Sequence, residues 1–218
     1  MKDRIGDIKS SMFAGIEEEE RRTILNCMGY RVKSFPKGSF IALEAEQLDH
    51  VGIILSGTVD MIKEDIWGNR TMLLRMKESE TFGETFACGV DRASAVSFVA
   101  TEPSEILFMP FRRIMHSCGN TCACHHRLTE NMVGIMADKN RELLRKVEVV
   151  TKRTIREKLL AYLSICGQRA DSSTFHIPLS RVELAEYLCV DRSAMTRELQ
   201  KMKDEGLIDF QKNRFTMM

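Results

Sequence analysis

Between Cys122 and Val150 the chain contains no proline and a single glycine, Gly134, and its apolar residues recur at helical spacing. A stretch of this length without a breaker admits one regular structure, an α-helix. Val133, Met136, Asn140, Leu143, Val147 and Val150 fall alternately three and four residues apart. That spacing assigns Val133, Asn140 and Val147 to a positions of a heptad, and Met136, Leu143 and Val150 to d positions. A β-branched residue at a with Leu at d favours two parallel strands, and one Asn at a fixes register and strand number at a cost in stability. These six residues are the expected seam of a homodimer. The other reading buries the helix against its own domain with Asn140 hydrated. Leu144 and Met132 lie beside the seam, available to that domain, so both readings can hold.

The sequence before this helix has a different texture. After an acidic helical start, Ile16 to Arg22, residues 35 to 109 break into short apolar or alternating runs. These are Phe40–Leu43, Val51–Leu55, Val59–Ile62, Met72–Met76, Ser97–Ala100 and Ile106–Met109. Turn signals separate them: Pro36-Lys-Gly38, Ser56-Gly57, Gly68-Asn69 and Glu102-Pro103. Many short strands at near-regular spacing predict a small antiparallel barrel or jelly roll. Trp67, beside Gly68, is expected to pack within its turn.

Composition excludes several classes. Hydrophobic residues at 44% and charged residues at 29% fit a folded chain and argue against disorder. No apolar run reaches the ~18 residues of a membrane span, and the N-terminus lacks the hydrophobic stretch of a signal peptide. Seven cysteines, an odd number, are then expected as reduced thiols in the cytoplasm. Lys plus Arg (32) nearly cancels Asp plus Glu (31), so any nucleic-acid contact must come from a local basic face.

Past Lys152 the chain reads as short helices and a hairpin. Thr154 to Cys166 is amphipathic, Gln168 to Thr174 is a polar loop, and Leu207–Phe210 and Phe215–Met217 flank a Lys212-Asn213 turn. The sharpest functional signal is residues 180 to 206. Ser180 with Glu183 three residues on forms a capping box. Leu184 and Leu188 mark one face of the helix that follows, and Ala185 is small where a second helix must cross. After a Cys189-Val190 turn, Asp191 caps a second helix with a buried stripe of Met195, Leu199 and Met202. Its opposite face presents Arg192, Ser193, Thr196, Arg197, Gln200 and Lys201, with Ser180 at the start of the unit. Short donors and an Arg able to grip guanine O6 and N7 suit a major-groove reader. An ordinary helical hairpin with a solvated face is the plainer alternative. The small residue at the crossing, the turn length and the hairpin after Gly206 favour a winged helix-turn-helix. Lys139, Arg141, Arg145, Lys146, Lys152, Arg153 and Arg156 outnumber Glu142 and Glu148 nearby, a basic stretch suited to phosphate.

Phe35-Pro-Lys-Gly-Ser-Phe40, Ile53-Ile-Leu-Ser-Gly-Thr-Val59, Thr81-Phe-Gly-Glu84, Glu102-Pro-Ser-Glu-Ile-Leu107 and Leu179–Leu188 with Asp191-Arg-Ser193 occur in this order. Over roughly residues 10 to 218 the chain resembles a CRP/FNR family transcription regulator. The resemblance implies an α+β chain. A double-stranded β-helix or jelly-roll domain of cyclic-nucleotide-binding type and the long dimerisation helix (about 122–150) make up residues 1–150. A winged helix-turn-helix makes up 151–218. It further implies a homodimer on DNA, with a palindromic operator, RNA polymerase as a candidate partner, no membrane and no enzymatic activity. An effector would shift the long helix and reorient the DNA heads.

Departures narrow the effector. Cyclic-nucleotide-binding members follow Gly-Glu, about ten residues on, with Arg-Ser-Ala. Here Gly83-Glu84 is followed by Ser94-Ala95-Val96, and Ser94 cannot neutralise a buried phosphate. Arg92 lies two residues upstream. Glu84 is therefore read as a structural hydrogen-bonding group, and the effector as a small molecule other than a cyclic nucleotide, or a redox or metal signal. A cyclic-nucleotide-responsive regulator is the alternative. The expected pocket comprises Glu84, Thr85, Ser94 and Ala95 with Asn140, Leu143 and Leu144. Oxygen-sensing members carry an N-terminal cysteine cluster for an iron–sulfur centre, where this chain has only Cys27. Ser193 stands where an acidic residue is expected, which loses a cytosine contact.

Cys118-Gly-Asn-Thr-Cys122-Ala-Cys124-His125-His126 is the densest chemical patch. Thiolates and imidazoles suit zinc, iron or copper(I), and Cys122 and His126 would share a helix face. Disulfide switching among Cys118, Cys122 and Cys124 is a second reading. The spacing matches no standard metal motif, and Cys is common as a small buried hydrophobe. No base, nucleophile and orienting group can be placed together, which argues against a thiol redox enzyme.

Overall fold

The computed structural model describes residues 8–115 and 123–218, and the chain divides into two units. The first comprises residues up to Gly68 and Leu73–Arg141. The second comprises Asn69–Met72 and Glu142–Met218.

In the first unit a short 3₁₀ turn, Ser11–Phe13, precedes α1 (Glu18–Met28). Strands β1 (Arg31–Phe35), β2 (Phe40–Ala42), β3 (His50–Ser56), β4 (Thr58–Glu64) and β5 (Arg70–Lys77) follow, then β6 (Thr81–Phe82). A short α2 (Glu84–Ala87) leads to β7 (Ser97–Ala100), β8 (Ser104–Pro110) and α3 (Phe111–Met115). The strands form two four-stranded sheets, ordered β1-β8-β3-β6 and β2-β7-β4-β5. This is the expected jelly roll. The alternation is clearest in β5, where Met72, Leu74 and Met76 are buried and their neighbours are not. Gly57 makes the β3–β4 turn with φ of +94°, and a Cβ there would meet Ser104 Oγ at 2.2 Å. Asp60, 6% exposed, is held from β5 by Arg75 in a bidentate pair with both bonds at 2.8 Å. On the outer face of the first sheet, Ile53, Leu107 and Met109 pack with Leu25 and Met28 of α1 and with Leu128 and Met132. Those last two belong to α4 (Ala123–Val150), the continuous helix required by the breaker-free stretch.

The second unit holds α5 (Ile155–Ala170), β9 (Thr174–His176), α6 (Arg181–Leu188), α7 (Arg192–Asp204), β10 (Ile208–Gln211) and β11 (Arg214–Met217). Its antiparallel sheet is ordered β10-β11-β9. The core gathers Val149, Leu159, Leu163, Phe175, Leu184, Leu188, Met195, Leu199, Met202 and Phe215.

Several local expectations need correction. α1 runs to Met28, where Gly29 closes it in the left-handed region, and does not stop at Arg22. α5 continues to Ala170, into the expected loop, and the unanticipated β9 begins at that loop's last residue, Thr174, where Phe175 is buried and pairs with Phe215. β1 was not anticipated, since its exposed charges obscure the alternation. Trp67 does not pack in its turn. It is 79% exposed at the β4–β5 hairpin.

Lys146 is a buried cation of the second unit. Only 4% exposed, it donates to the Met72 carbonyl and sits 4.1 Å from the Tyr187 ring centroid. Burial lowers its pKa from 10.5 to about 8, while the Cys189 thiol opposes that shift. The folded state thus releases this proton at lower pH than the unfolded chain. Between about pH 8 and 10.5 the unfolded chain binds more protons, so this group makes stability rise with pH. Burial raises the pKa of Tyr187 to about 12, which acts in the opposite sense above the ordinary tyrosine range near 10. Lys146→Met is therefore expected to flatten the rise in the urea midpoint between about pH 8 and 9.5. An unchanged slope in the variant would remove Lys146 as its source.

Candidate nucleic-acid interface

The helix-turn-helix is assembled by local chemistry. The Ser180 hydroxyl accepts from the Glu183 amide, and the Glu183 carboxylate accepts the Ser180 N–H at 2.7 Å, closing the capping box at the start of α6. α6 ends at Cys189, whose φ of +53° is left-handed. The Cys189 and Val190 amides there donate to the Glu186 and Ala185 carbonyls at 3.2 and 3.1 Å. A side chain at such a position costs ~1–2 kcal/mol relative to glycine, and it is held by the cap bonds and by the core on either side. Asp191 Oδ1 then accepts from the Ala194 amide at 2.8 Å and starts α7.

Met195, Leu199 and Met202 are fully buried in the core shared with Leu184, Ala185 and Leu188. With that stripe inward, Arg192, Ser193, Thr196, Arg197, Gln200 and Lys201 all lie exposed on α7, and Ser180 is exposed at the cap. The Thr196 hydroxyl donates to the Arg192 carbonyl at 2.9 Å, and Gln200 Nε2 donates to Asp204 at 2.8 Å. Among the described residues no hydrogen bond engages the side chains of Arg192, Ser193, Arg197 or Lys201.

The acids on α7 are restrained by Arg156 of α5. Its Nε donates to Glu198 at 2.6 Å, and its two terminal nitrogens donate to Glu205 at 2.7 and 3.0 Å. These bonds hold the Glu205 carboxyl below the usual carboxylate range and push the guanidinium pKa up. Arg156 thus offsets the negative charge of Glu198 on α7 and of Glu205 at its C-terminal cap.

Arg181 was not singled out in the sequence. Its guanidinium lies over Phe210 and Phe215, 5.0 and 4.8 Å from the ring centroids, and donates to the Lys212 carbonyl at 2.9 Å. Nη1 is buried without a partner, and desolvation lowers its pKa. The available signal was its position. A cation in the first turn of a helix opposes the macrodipole and needs compensation elsewhere, here the wing aromatics.

The basic stretch is less available to DNA than its count suggests. Lys139 and Lys146 are turned inward, Arg141 pairs with Asp138, and Arg156 is engaged by two glutamates. Arg145, Lys152 and Arg153 are exposed.

In the β-roll, Gly83 (φ of +82°) caps α2, and Glu84 is 2% exposed. Lys139 of α4 donates to Glu84 Oε1 at 2.7 Å and also to the Thr81 carbonyl. Glu84 Oε2 and the Thr81 hydroxyl are buried without partners among the described residues. Ser94, 2% exposed, turns its hydroxyl inward to the Val96 carbonyl at 2.6 Å. Thr85, Ala95, Asn140 and Leu144 are exposed and Leu143 is half-buried. Of the β-roll residues expected in the effector pocket, Glu84 reaches the long helix, through Lys139. Among the seam residues, Val133, Asn140 and Val147 are exposed, while Met136, Leu143 and Val150 are half-buried.

Cys118 and Cys122 lie outside the described residues. Cys124 is half-buried against the α1 core, and His126 is exposed with Nε2 3.4 Å from Glu130. Among the described residues no three metal-ligating side chains converge. Nor is any described helix long and apolar enough to cross a membrane.

Comparison with known proteins agrees with this layout. Residues 32–118 match the cyclic nucleotide-binding domain, and residues 157–218 match the Crp-like helix-turn-helix domain. The transcriptional activator protein FnrL of Cereibacter sphaeroides is 23% identical over 94% of this chain and 82% of its own length. The c-di-GMP-responsive regulator CLP of Xanthomonas campestris superposes with a TM-score of 0.69 at 14% identity, covering 86% of this chain and 93% of that one. FixK2 of Bradyrhizobium japonicum superposes at 0.64 with 15% identity over 86% and 92%. With both domain types in this order and a reading helix built as above, the chain belongs to the CRP/FNR family of DNA-binding transcription regulators.

Proposed function

We propose that this regulator is a homodimer that reads a palindromic operator and answers to a signal other than a cyclic nucleotide. Residues 1–150 act as sensor and dimeriser, and residues 151–218 as reader. The observation that carries the effector reading is the Lys139–Glu84 pair. The carboxylate that a cyclic-nucleotide cassette offers its ligand is already engaged by an ammonium of the same chain. Ser94 stands where a phosphate-binding Arg is needed, and its hydroxyl is committed to Val96. A buried phosphate there would lack a counter-charge. A non-nucleotide small molecule remains, or a redox or metal signal at Cys118, Cys122, Cys124 and His126. An iron–sulfur centre of N-terminal type is disfavoured because Cys27 is the one cysteine before Cys88.

The dimer reading rests on Val133, Asn140, Leu144 and Val147, which leave an apolar stripe with one Asn exposed along α4. A solvated helix has no use for 53–61% exposure at Val133, Leu144 and Val147, whereas a parallel partner buries them. Such a dimer places two α7 helices in successive major grooves, ~34 Å apart. The activity is binding without turnover, in the cytoplasm, and RNA polymerase is the natural downstream partner.

Val147→Glu sets like charges against each other across the seam without disturbing the isolated chain. Sedimentation is expected to report a monomer, and operator affinity to fall by ~100-fold or more as bivalency is lost. A wild-type protein that already sediments as a monomer contradicts the dimer. Arg197→Ala is expected to cost ~1–3 kcal/mol of discrimination at one base pair per half-site. Lys201→Ala is expected to weaken all sequences alike and to lower the salt slope by ~1. Binding titrations on single-base operator variants at two salt concentrations separate these roles. Uniform loss with Arg197→Ala would make that residue a phosphate clamp.

A further inference from the structure

The inward face of β1 carries a pattern that neither the fold nor DNA binding uses. Val32 points to the α1 core, so period-two alternation turns Arg31, Lys33 and Phe35 to the other face, with Arg31 and Lys33 exposed at the mouth of the roll. There they line a cavity of ~310 Å³ with Phe108, Phe82 and the His50 region. That volume is at the lower end of small-ligand pockets. Its aromatic wall is ordered. Phe108 meets Phe35 edge-on at 6.2 Å and Phe82 edge-on at 6.1 Å. Arg31 is directly opposite Phe108 in the β1–β8 register, so guanidinium and ring share one site.

The charges in this cavity divide unequally. Glu46 is committed to the Leu43 amide at 2.9 Å, and Asp49 pairs with His50. Among the described residues no hydrogen bond or ion pair engages the side chain of Arg31 or Lys33. The two Cα atoms, two residues apart on one strand, stand ~6.7 Å from each other. Both side chains can therefore converge on one carboxylate, with the Arg fork bidentate.

We propose that this mouth of the β-roll binds a small aromatic carboxylate, its ring against Phe35, Phe82 and Phe108 and its carboxylate on Arg31 and Lys33. The site lies on residues distinct from Glu84 and Ser94. Placing the effector here deepens the functional reading above. Ligand binding, measured without DNA, stands or falls separately from that reading.

The competing explanation is that Arg31 and Lys33 merely guard an edge strand against pairing with other chains. Calorimetric titration of the full chain with benzoate, benzamide and cyclohexanecarboxylate distinguishes the two. Benzoate is expected to bind about tenfold or more tightly than benzamide, which lacks the charge, and more tightly than cyclohexanecarboxylate, which lacks the π face. Arg31→Ala combined with Lys33→Ala, both at exposed positions, is expected to abolish that preference with an unchanged melting temperature. Arg92→Ala, beside the nucleotide cassette, is expected to leave benzoate binding intact. The proposal is overturned by failure of benzoate to bind at millimolar concentration, by equal binding of benzamide, or by insensitivity to the double variant. Self-association of the double variant without any loss of ligand binding supports the edge-guard explanation and likewise overturns it.

Discussion

The burial of Met195, Leu199 and Met202 is the constraint from which the reading surface follows. All three are fully buried, and each is worth ~1.5–3 kcal/mol of transfer from water. A helix with one face committed in this way has no rotational freedom about its axis. The direction of Arg192, Ser193, Arg197 and Lys201 is therefore set by apolar packing, before any nucleic acid is present. The caps at Ser180 and Asp191 set where each helix begins, and the left-handed Cys189 sets the turn between them. Preorganisation of this kind lowers the ordering cost of binding.

The charges follow a second logic, in which position decides what a cation does. Lys139 and Lys146 lie on one helix in a run that reads as a phosphate-attracting face. The structure instead spends them internally, on Glu84 and on the Met72 carbonyl. Arg156 is likewise committed within the chain, to Glu198 and Glu205. Of the exposed cations, Arg192, Arg197 and Lys201 lie on α7, and Arg145, Lys152 and Arg153 lie outside it.

Features that depend on neighbours in sequence were legible before the structure. The capping box, the Asp191 cap, the Met195–Leu199–Met202 stripe and the Lys212-Asn213 turn are each written within about a dozen residues, and the long helix within one run without proline. What escaped depends on partners far along the chain. Lys139 meets Glu84 55 positions away, and Arg156 meets Glu198 42 positions away. Neither pairing leaves a local pattern. β1 escaped for a different reason: exposed cations at Arg31 and Lys33 break the apolar alternation by which a strand is found. β9 was missed because it is three residues long and Phe175 alone carries its burial.

The central claim, that two rigid α7 helices read two symmetric half-sites, is tested most directly by selecting bound duplexes from a random-sequence pool with the full chain. The account predicts enrichment of an inverted repeat with half-site centres ~10–10.5 base pairs apart, each half carrying a guanine whose identity is lost with Arg197. Enrichment of a single asymmetric site, or of nothing beyond the input pool, would contradict it.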